Sequence, residues 1–188
     1  MITQLRLPPN PPHHYLLDSF TIPAPDFPMP NPLSRAKHNA SINPEFNPSI
    51  NPKLNARINP NFNPWVNPLR NFRINPNFNQ TLNPVITVSL NPTSNCLLDP
   101  KRSRKFSGLR RLTPDAELFG YIVRTSNKAV LLLFDRELNW TAYAVNNSRE
   151  GYNIFNLEGK WTGYTLKNQA GGWNEYNLEG DWIGFIAP

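Results

Sequence analysis

Cysteine is almost absent. Cys96 stands alone in 188 residues, so an intramolecular disulfide and a multi-cysteine metal site are both excluded. Histidine is nearly as scarce, with His13, His14 and His38 all near the start of the chain. Glycine does not occur before Gly108, and of the 21 prolines only Pro188 comes after residue 115. No apolar run approaches the ~20 residues a membrane-spanning helix needs. The longest, Ala129 to Phe134, suits a buried strand. The opening MITQLRLPPNPPHH places prolines where a secretory signal needs an apolar core. Together these absences lead to the expectation of a cytoplasmic protein, with peripheral attachment to a membrane as the other option.

The uneven use of proline and glycine divides the chain, and charge follows the same division. Residues 1–111 carry 13 Lys and Arg against four Asp and Glu, whereas residues 112–188 carry six against nine. The formal charge of +6 therefore belongs to the front half. Residues 1–41 read as a disordered arm, because Pro8, Pro9, Pro11, Pro12, Pro23, Pro25, Pro28, Pro30 and Pro32 interrupt any helix or long strand.

From Ile42 to residue 97 an eight-residue unit repeats, in the register Ile-Asn-Pro-x-Phe-Asn-x-x. Its first position is filled by Ile42, Ile50, Ile58, Val66, Ile74, Leu82 and Leu90. Half a period later come Phe46, Leu54, Phe62 and Phe78. The chemistry is that of a turn: Asn bonds its side chain to the backbone two residues on, and Pro presets φ for the next position. Two outcomes compete. The turns stack as a narrow solenoid that buries the apolar ridge, or they form a semi-stiff tether whose isoleucines stay wet. Proline removes so many backbone donors that the reading favours the tether.

Residues 98–111 form a junction with six basic residues: Lys101, Arg102, Arg104, Lys105, Arg110 and Arg111. They are candidate contacts for an anionic surface, lipid headgroups above all. Nucleic acid is expected to make only non-specific phosphate contact there, since Phe106 alone interleaves. A solvated basic linker is the plainer account of the same residues.

Residues 108–188 repeat at a third period, 21. Trp140, Trp161 and Trp182 align; Tyr143, Tyr164 and Phe185 follow each by three, and Phe134, Phe155 and Tyr176 precede each by six. Each unit reads as a hairpin. Gly151 to Phe155 runs out, Asn156-Leu-Glu-Gly159 turns with its glycine supplying a positive φ, and Lys160 to Leu166 returns; Asn177-Leu-Glu-Gly180 repeats that turn. A first copy is recovered with its turn at Thr113-Pro-Asp-Ala116 and its return at Leu118 to Val123. The expectation is an all-β domain of four hairpins around a pseudo-four-fold axis, with essentially no helix. A linear sheet, which would leave two open edges, is the alternative. Alternation puts Trp161, Gly163 and Thr165 on one face and Thr162, Tyr164 and Leu166 on the other. Gly120, Gly163 and Gly184 are expected where neighbouring copies crowd together, beneath a tryptophan.

The run Phe-Asn-Leu-Glu-Gly-x-Trp-x-Gly-Tyr from Phe155 to Tyr164, repeated from Tyr176 to Phe185, resembles the four-fold β-flower domain, a small bacterial fold with petals around a pseudo-four-fold axis. The resemblance covers residues 108–188 and leaves the octads unassigned. It implies a fold and no catalytic residues.

A chemical site is hard to assemble from these residues. Cys96 has no histidine near it in sequence, and the histidines sit in the arm. Glu137, Glu158 and Glu179 share one register, but inside turns, where solubility accounts for them. The expectation is therefore a non-enzymatic protein without cofactor or metal, its β-domain presented on an Asn/Pro stalk to an unknown protein or surface partner. The alternative is association with anionic membrane through 101–111, and an effector or toxin-associated role is the weaker third.

Overall fold

A computed structural model describes residues 39–149 and 151–187. Most of the arm expected over 1–41 lies outside them, as do the three histidines. The described chain has two parts, a turn array over 39–106 and a closed β-barrel over 109–187.

The array is built from a four-residue unit, the half-period at which an apolar residue followed by asparagine recurs in the sequence. Asn67 shows how it works. Its Oδ1 accepts from the N–H of Leu69 (2.8 Å) and its carbonyl accepts from the N–H of Arg70 (3.1 Å), closing an Asx turn inside a β-turn. Its Nδ2 donates back to the carbonyl of Pro60 at 2.8 Å, tying the turn to the previous octad. Asn71 does the same from the other half of the octad, donating to the carbonyl of Trp65 (3.0 Å). Several of the turns tighten into single 3-10 turns, such as Pro64–Val66 and Phe72–Ile74.

The tether expectation is corrected here. It counted only backbone donors, which proline depletes. The asparagine amides replace them, so successive turns are bonded to one another, and the isoleucines are not wet: Ile58 is 1 % and Leu82 0 % exposed. The array also extends beyond the octads at both ends. Asn39 forms the first turn, accepting from the N–H of Ser41 (3.1 Å). Asp99 and Ser103 take asparagine's place in the last two, accepting from the N–H of Lys101 (2.8 Å) and Lys105 (3.2 Å). The stretch read as a linker over 98–111 is thus the end of the array followed by the first strand.

The barrel has eight strands: β1 (Leu109–Leu112), β2 (Leu118–Arg124), β3 (Val130–Asp135), β4 (Trp140–Asn146), β5 (Tyr152–Asn156), β6 (Trp161–Lys167), β7 (Trp173–Asn177) and β8 (Trp182–Ala187). Each pairs antiparallel with the next, and β1 pairs with β8, so no edge is left open. The linear sheet is thereby excluded. Side chains at the start of each hairpin turn make the turns alike. Thr113 Oγ1 and the side-chain oxygens of Asp135, Asn156 and Asn177 each accept from the N–H four residues on, at 3.1, 2.8, 2.8 and 2.8 Å. The fourth turn residue has positive φ in every copy: Ala116 (65°), Leu138 (68°), Gly159 (82°) and Gly180 (99°). Two of the four therefore adopt it without being glycine.

Inside and outside follow from packing. Leu109, Ile122, Leu131, Leu133, Ala144, Ile154 and Ile186 form one buried cluster with Tyr152 and Trp173 packed against it, drawn from all strands but β6. Only the interior of a closed barrel brings those strands together. Residues of opposite parity, among them Val123, Leu132, Phe134, Tyr143, Val145 and Phe155, point outward and are buried by Val66, Ile74, Leu82 and Leu90 of the array. Ile42 covers Tyr164, Leu166 and Tyr176 in the same way. The array therefore wraps the outside of the barrel in reverse strand order. It starts with Ile42, whose carbonyl accepts from Tyr176 Oη on β7 (3.0 Å). It passes β5, where Asn153 Nδ2 donates to the carbonyl of Ile58 (2.8 Å), and ends with Phe106 edge-on to Tyr121 of β2 (5.6 Å).

Two strand expectations need correction. A β-bulge interrupts the register at each hairpin, between Ile154 and Phe155 in the third. The extra residue moves Trp161 to the outer face, where its ring packs with the clusters under the array and only its indole N–H reaches the Gly163 carbonyl. The glycine is required by backbone instead: a Cβ at Gly163 would sit 2.6 Å from the carbonyl oxygen of Tyr176 on the neighbouring copy. Gly120 and Gly184 face the carbonyls of Phe134 and Leu112 in the same relation.

Candidate binding surface

Among the described residues, those lining the barrel interior leave no room for a ligand. Its residual void is about 10 Å³, at the threshold for a single water. At one end Arg111 on β1 points inward and forms a two-pronged ion pair with Glu175 on β7, Nε to Oε2 at 3.1 Å and Nη2 to Oε1. The guanidinium also lies over the ring of Phe119, 4.3 Å from its centroid. Both ends of the pair are consumed, so it bridges two strands that are not neighbours.

The barrel's outer aromatics are equally engaged. Tyr143, Tyr164 and Phe185 are buried, while Trp140, Trp161 and Trp182 are half-buried. Trp140 and Trp161 donate their indole N–H to the carbonyls of Ala142 (2.9 Å) and Gly163 (2.8 Å), two residues on. Burial pushes the phenols of Tyr143, Tyr164 and Tyr176 well above the ordinary tyrosine value of 10.0, since the phenolate has no water to solvate it. The aromatics of the barrel therefore form no exposed ring among the described residues.

The exposed aromatics are on the array. Within each octad the Ile-Asn-Pro positions face the barrel, and the fourth, fifth, seventh and eighth positions face solvent. Those outward positions hold Phe46, Leu54, Phe62, Trp65, Leu69, Phe72, Phe78, Val85, Ile86, Val88 and Leu97. Trp65 is 78 % and Phe62 70 % exposed, values more usual for lysine than for large apolar side chains. Phe72 and Phe78 come from different turns yet meet at 4.9 Å, so the two outward corners touch there. Large apolar side chains are thus exposed along the array in a number that monomeric proteins rarely leave bare.

Exposed charge on the described residues of the array is almost entirely of one sign, although the edge carrying Glu45, Lys53 and Leu54 shares a cleft with Glu179 and Asp181 of the last barrel turn. Lys53, Arg57, Arg70 and Arg73 are exposed among the apolar residues, and Lys101, Arg102, Arg104 and Lys105 continue at the same outward positions of the last turns. Glu45 is the sole exposed carboxylate of the array, because Asp99 is buried as a turn residue. The six basic residues singled out by sequence therefore separate. Four join the outward face. Arg110 lies over Phe106 at 5.7 Å. Arg111 does not belong to any anionic-surface site, because strand alternation turns it into the barrel, where Glu175 holds it.

Lys53, Arg57, Arg70 and Arg73 were not legible as site residues, being spread singly over 21 positions. The signal was the half-period column of Phe46, Leu54, Phe62 and Phe78, which a structural spacer has no reason to keep apolar. Among the described residues no group of three His, Cys, Asp or Glu is placed to hold a metal ion, and no helix is long and apolar enough to cross a membrane. Cys96 is exposed, and Glu137, Glu158 and Glu179 are exposed in separate turns. No family model, curated protein or solved structure matches this chain.

Proposed function

We propose that this is a non-enzymatic binding protein whose working surface is the outward face of the turn array. The observation that carries the reading is the column Phe46, Leu54, Phe62, Phe78 and Ile86, apolar and exposed at eight-residue spacing save at Arg70. The barrel is then a core on which the array is wound, rather than a head displayed on a stalk. Four hairpin turns closed alike, with bulges at corresponding registers, support treating the barrel as a pseudo-four-fold unit of β-flower type. Its filled interior and buried outer aromatics leave it little to bind with.

A photo-reactive amino acid placed at position 65, on the array, and separately at position 183, an exposed barrel site, tests this in extracts of the source cells. Adducts are expected from 65 and not from 183. Adducts from 183 alone would move the function to the barrel and sink the reading.

A further inference from the structure

We infer that the outward face of the array docks on an anionic lipid bilayer. This rests on the binding reading above and names its partner. Three properties of the face point there. First, its apolar residues mix aromatic with aliphatic side chains and include Trp65, whose indole is amphipathic and suits a headgroup interface. Second, its charge complements an anionic surface, with Arg57, Arg70 and Arg73 standing between the apolar residues. Third, the asparagines that build its middle turns are not free to read a partner. Asn63, Asn67 and Asn71 spend both ends of their amides inside the array. A fluid surface that asks for apolar contact and positive charge fits better than a partner with a fixed hydrogen-bond pattern.

Single-stranded nucleic acid is the less suited occupant. Leu54, Leu69 and Ile86 have no π-face on which bases stack, and the turn asparagines, such as Asn67, are occupied within the array. The shape of the array also selects a patch. Because it is wound on a closed barrel, its outer face is convex, so a flat bilayer meets the middle turns. Those carry Phe62, Trp65 and Phe72 together with the three arginines.

The test is co-sedimentation of the full chain with vesicles of phosphatidylglycerol in phosphatidylcholine, and with phosphatidylcholine alone. Binding is expected only to the anionic vesicles, weakening as salt is raised. Each of R57Q, R70Q and R73Q is expected to reduce partitioning about fivefold, and the triple variant on the order of a hundredfold. Phe62→Ser with Trp65→Ser is expected to reduce it by at least about tenfold, and Ile183→Ser on the barrel not at all. The difference in fluorescence between the wild type and Trp65→Phe, which isolates Trp65, should shift to the blue on adding anionic vesicles. Circular dichroism of each variant establishes that it is folded.

Binding that survives the arginine and aromatic variants, or that falls only with Gln at 101, 102, 104 and 105, overturns the inference. A Trp65 signal already blue-shifted without vesicles overturns it too, since the face is then covered by the chain itself. Absence of vesicle binding, with protein or RNA adducts from position 65, sinks the bilayer and leaves the binding reading standing. Absence of both sinks the two together.

Discussion

The array and the barrel satisfy the same backbone in opposite ways. In the barrel, N–H and C=O groups pair strand to strand, while side chains close the hairpin turns and fill the space on either side. In the array, proline has removed many of the donors, and asparagine side chains make the bonds that hold one turn to the next. The barrel buries two faces, the array one. Residues at matching apolar positions of the octad thus meet opposite fates, Leu82 fully buried and Phe78 exposed, though both are large, apolar and periodic. Periodicity reports a repeated role. It does not say whether that role is packing or display.

The sharpest way to break this comparison is to truncate one residue from each column. Leu82→Ala should cost about 2–5 kcal/mol, as core truncations do. Phe62→Ala should stay within about 0.5 kcal/mol, as exposed substitutions do. Equal costs, measured by denaturant unfolding, would mean that the outward column is a core as well. Next in size is the ion pair that the barrel hides. Glu175→Gln leaves Arg111 in the interior without its countercharge and should cost about 3 kcal/mol, whereas Glu158→Gln in an exposed turn should cost almost nothing.

The seam between the two regions is tested by alkali. Tyr143, Tyr164 and Tyr176 are buried where the array meets the barrel, and their folded phenols ionise above the 10.0 of the unfolded chain. Their contribution is complete below that value and is lost as pH rises past it, because the unfolded state releases protons first. Denaturation midpoints should therefore fall between about pH 9 and pH 11, and Tyr→Phe at positions 143 and 164 should flatten the fall. Within the array, Asn67→Asp keeps the turn acceptor but loses the donor to Pro60, and should cost about 1 kcal/mol. Asn67→Ala loses both and should cost more. The smallest effect belongs to the barrel turns. Ala116→Gly relieves a positive φ and should stabilise by about 0.5–1 kcal/mol.

Local chemistry was legible in the sequence where it repeats. The Asn-initiated turns, the four hairpins and the positive-φ glycines at 159 and 180 could all be read, because each is set by a few adjacent residues. What escaped depends on residues far apart or on a shift of one position. One bulge residue per hairpin moved the tryptophans to the other face, which strict alternation does not foresee. Arg111 looked like part of a basic run until its strand parity and Glu175, 64 residues away, placed it inside. The fundamental four-residue period was visible, but the amide donors that make it fold were not counted, so the array was read as a spacer. Its wrapping around the barrel has no local signature at all.

Everything said of the array's two faces depends on its being folded onto the barrel. Hydrogen exchange of the intact protein, resolved by peptide, tests this most directly. The N–H groups of Val66, Ile74, Leu82 and Leu90 bond back to the first residues of their turns, and their side chains lie against barrel residues. They should exchange with protection comparable to that of β3 and β4. Exchange of residues 42–98 at the rate of a free peptide, while the barrel stays protected, would contradict the account and return the array to a tether.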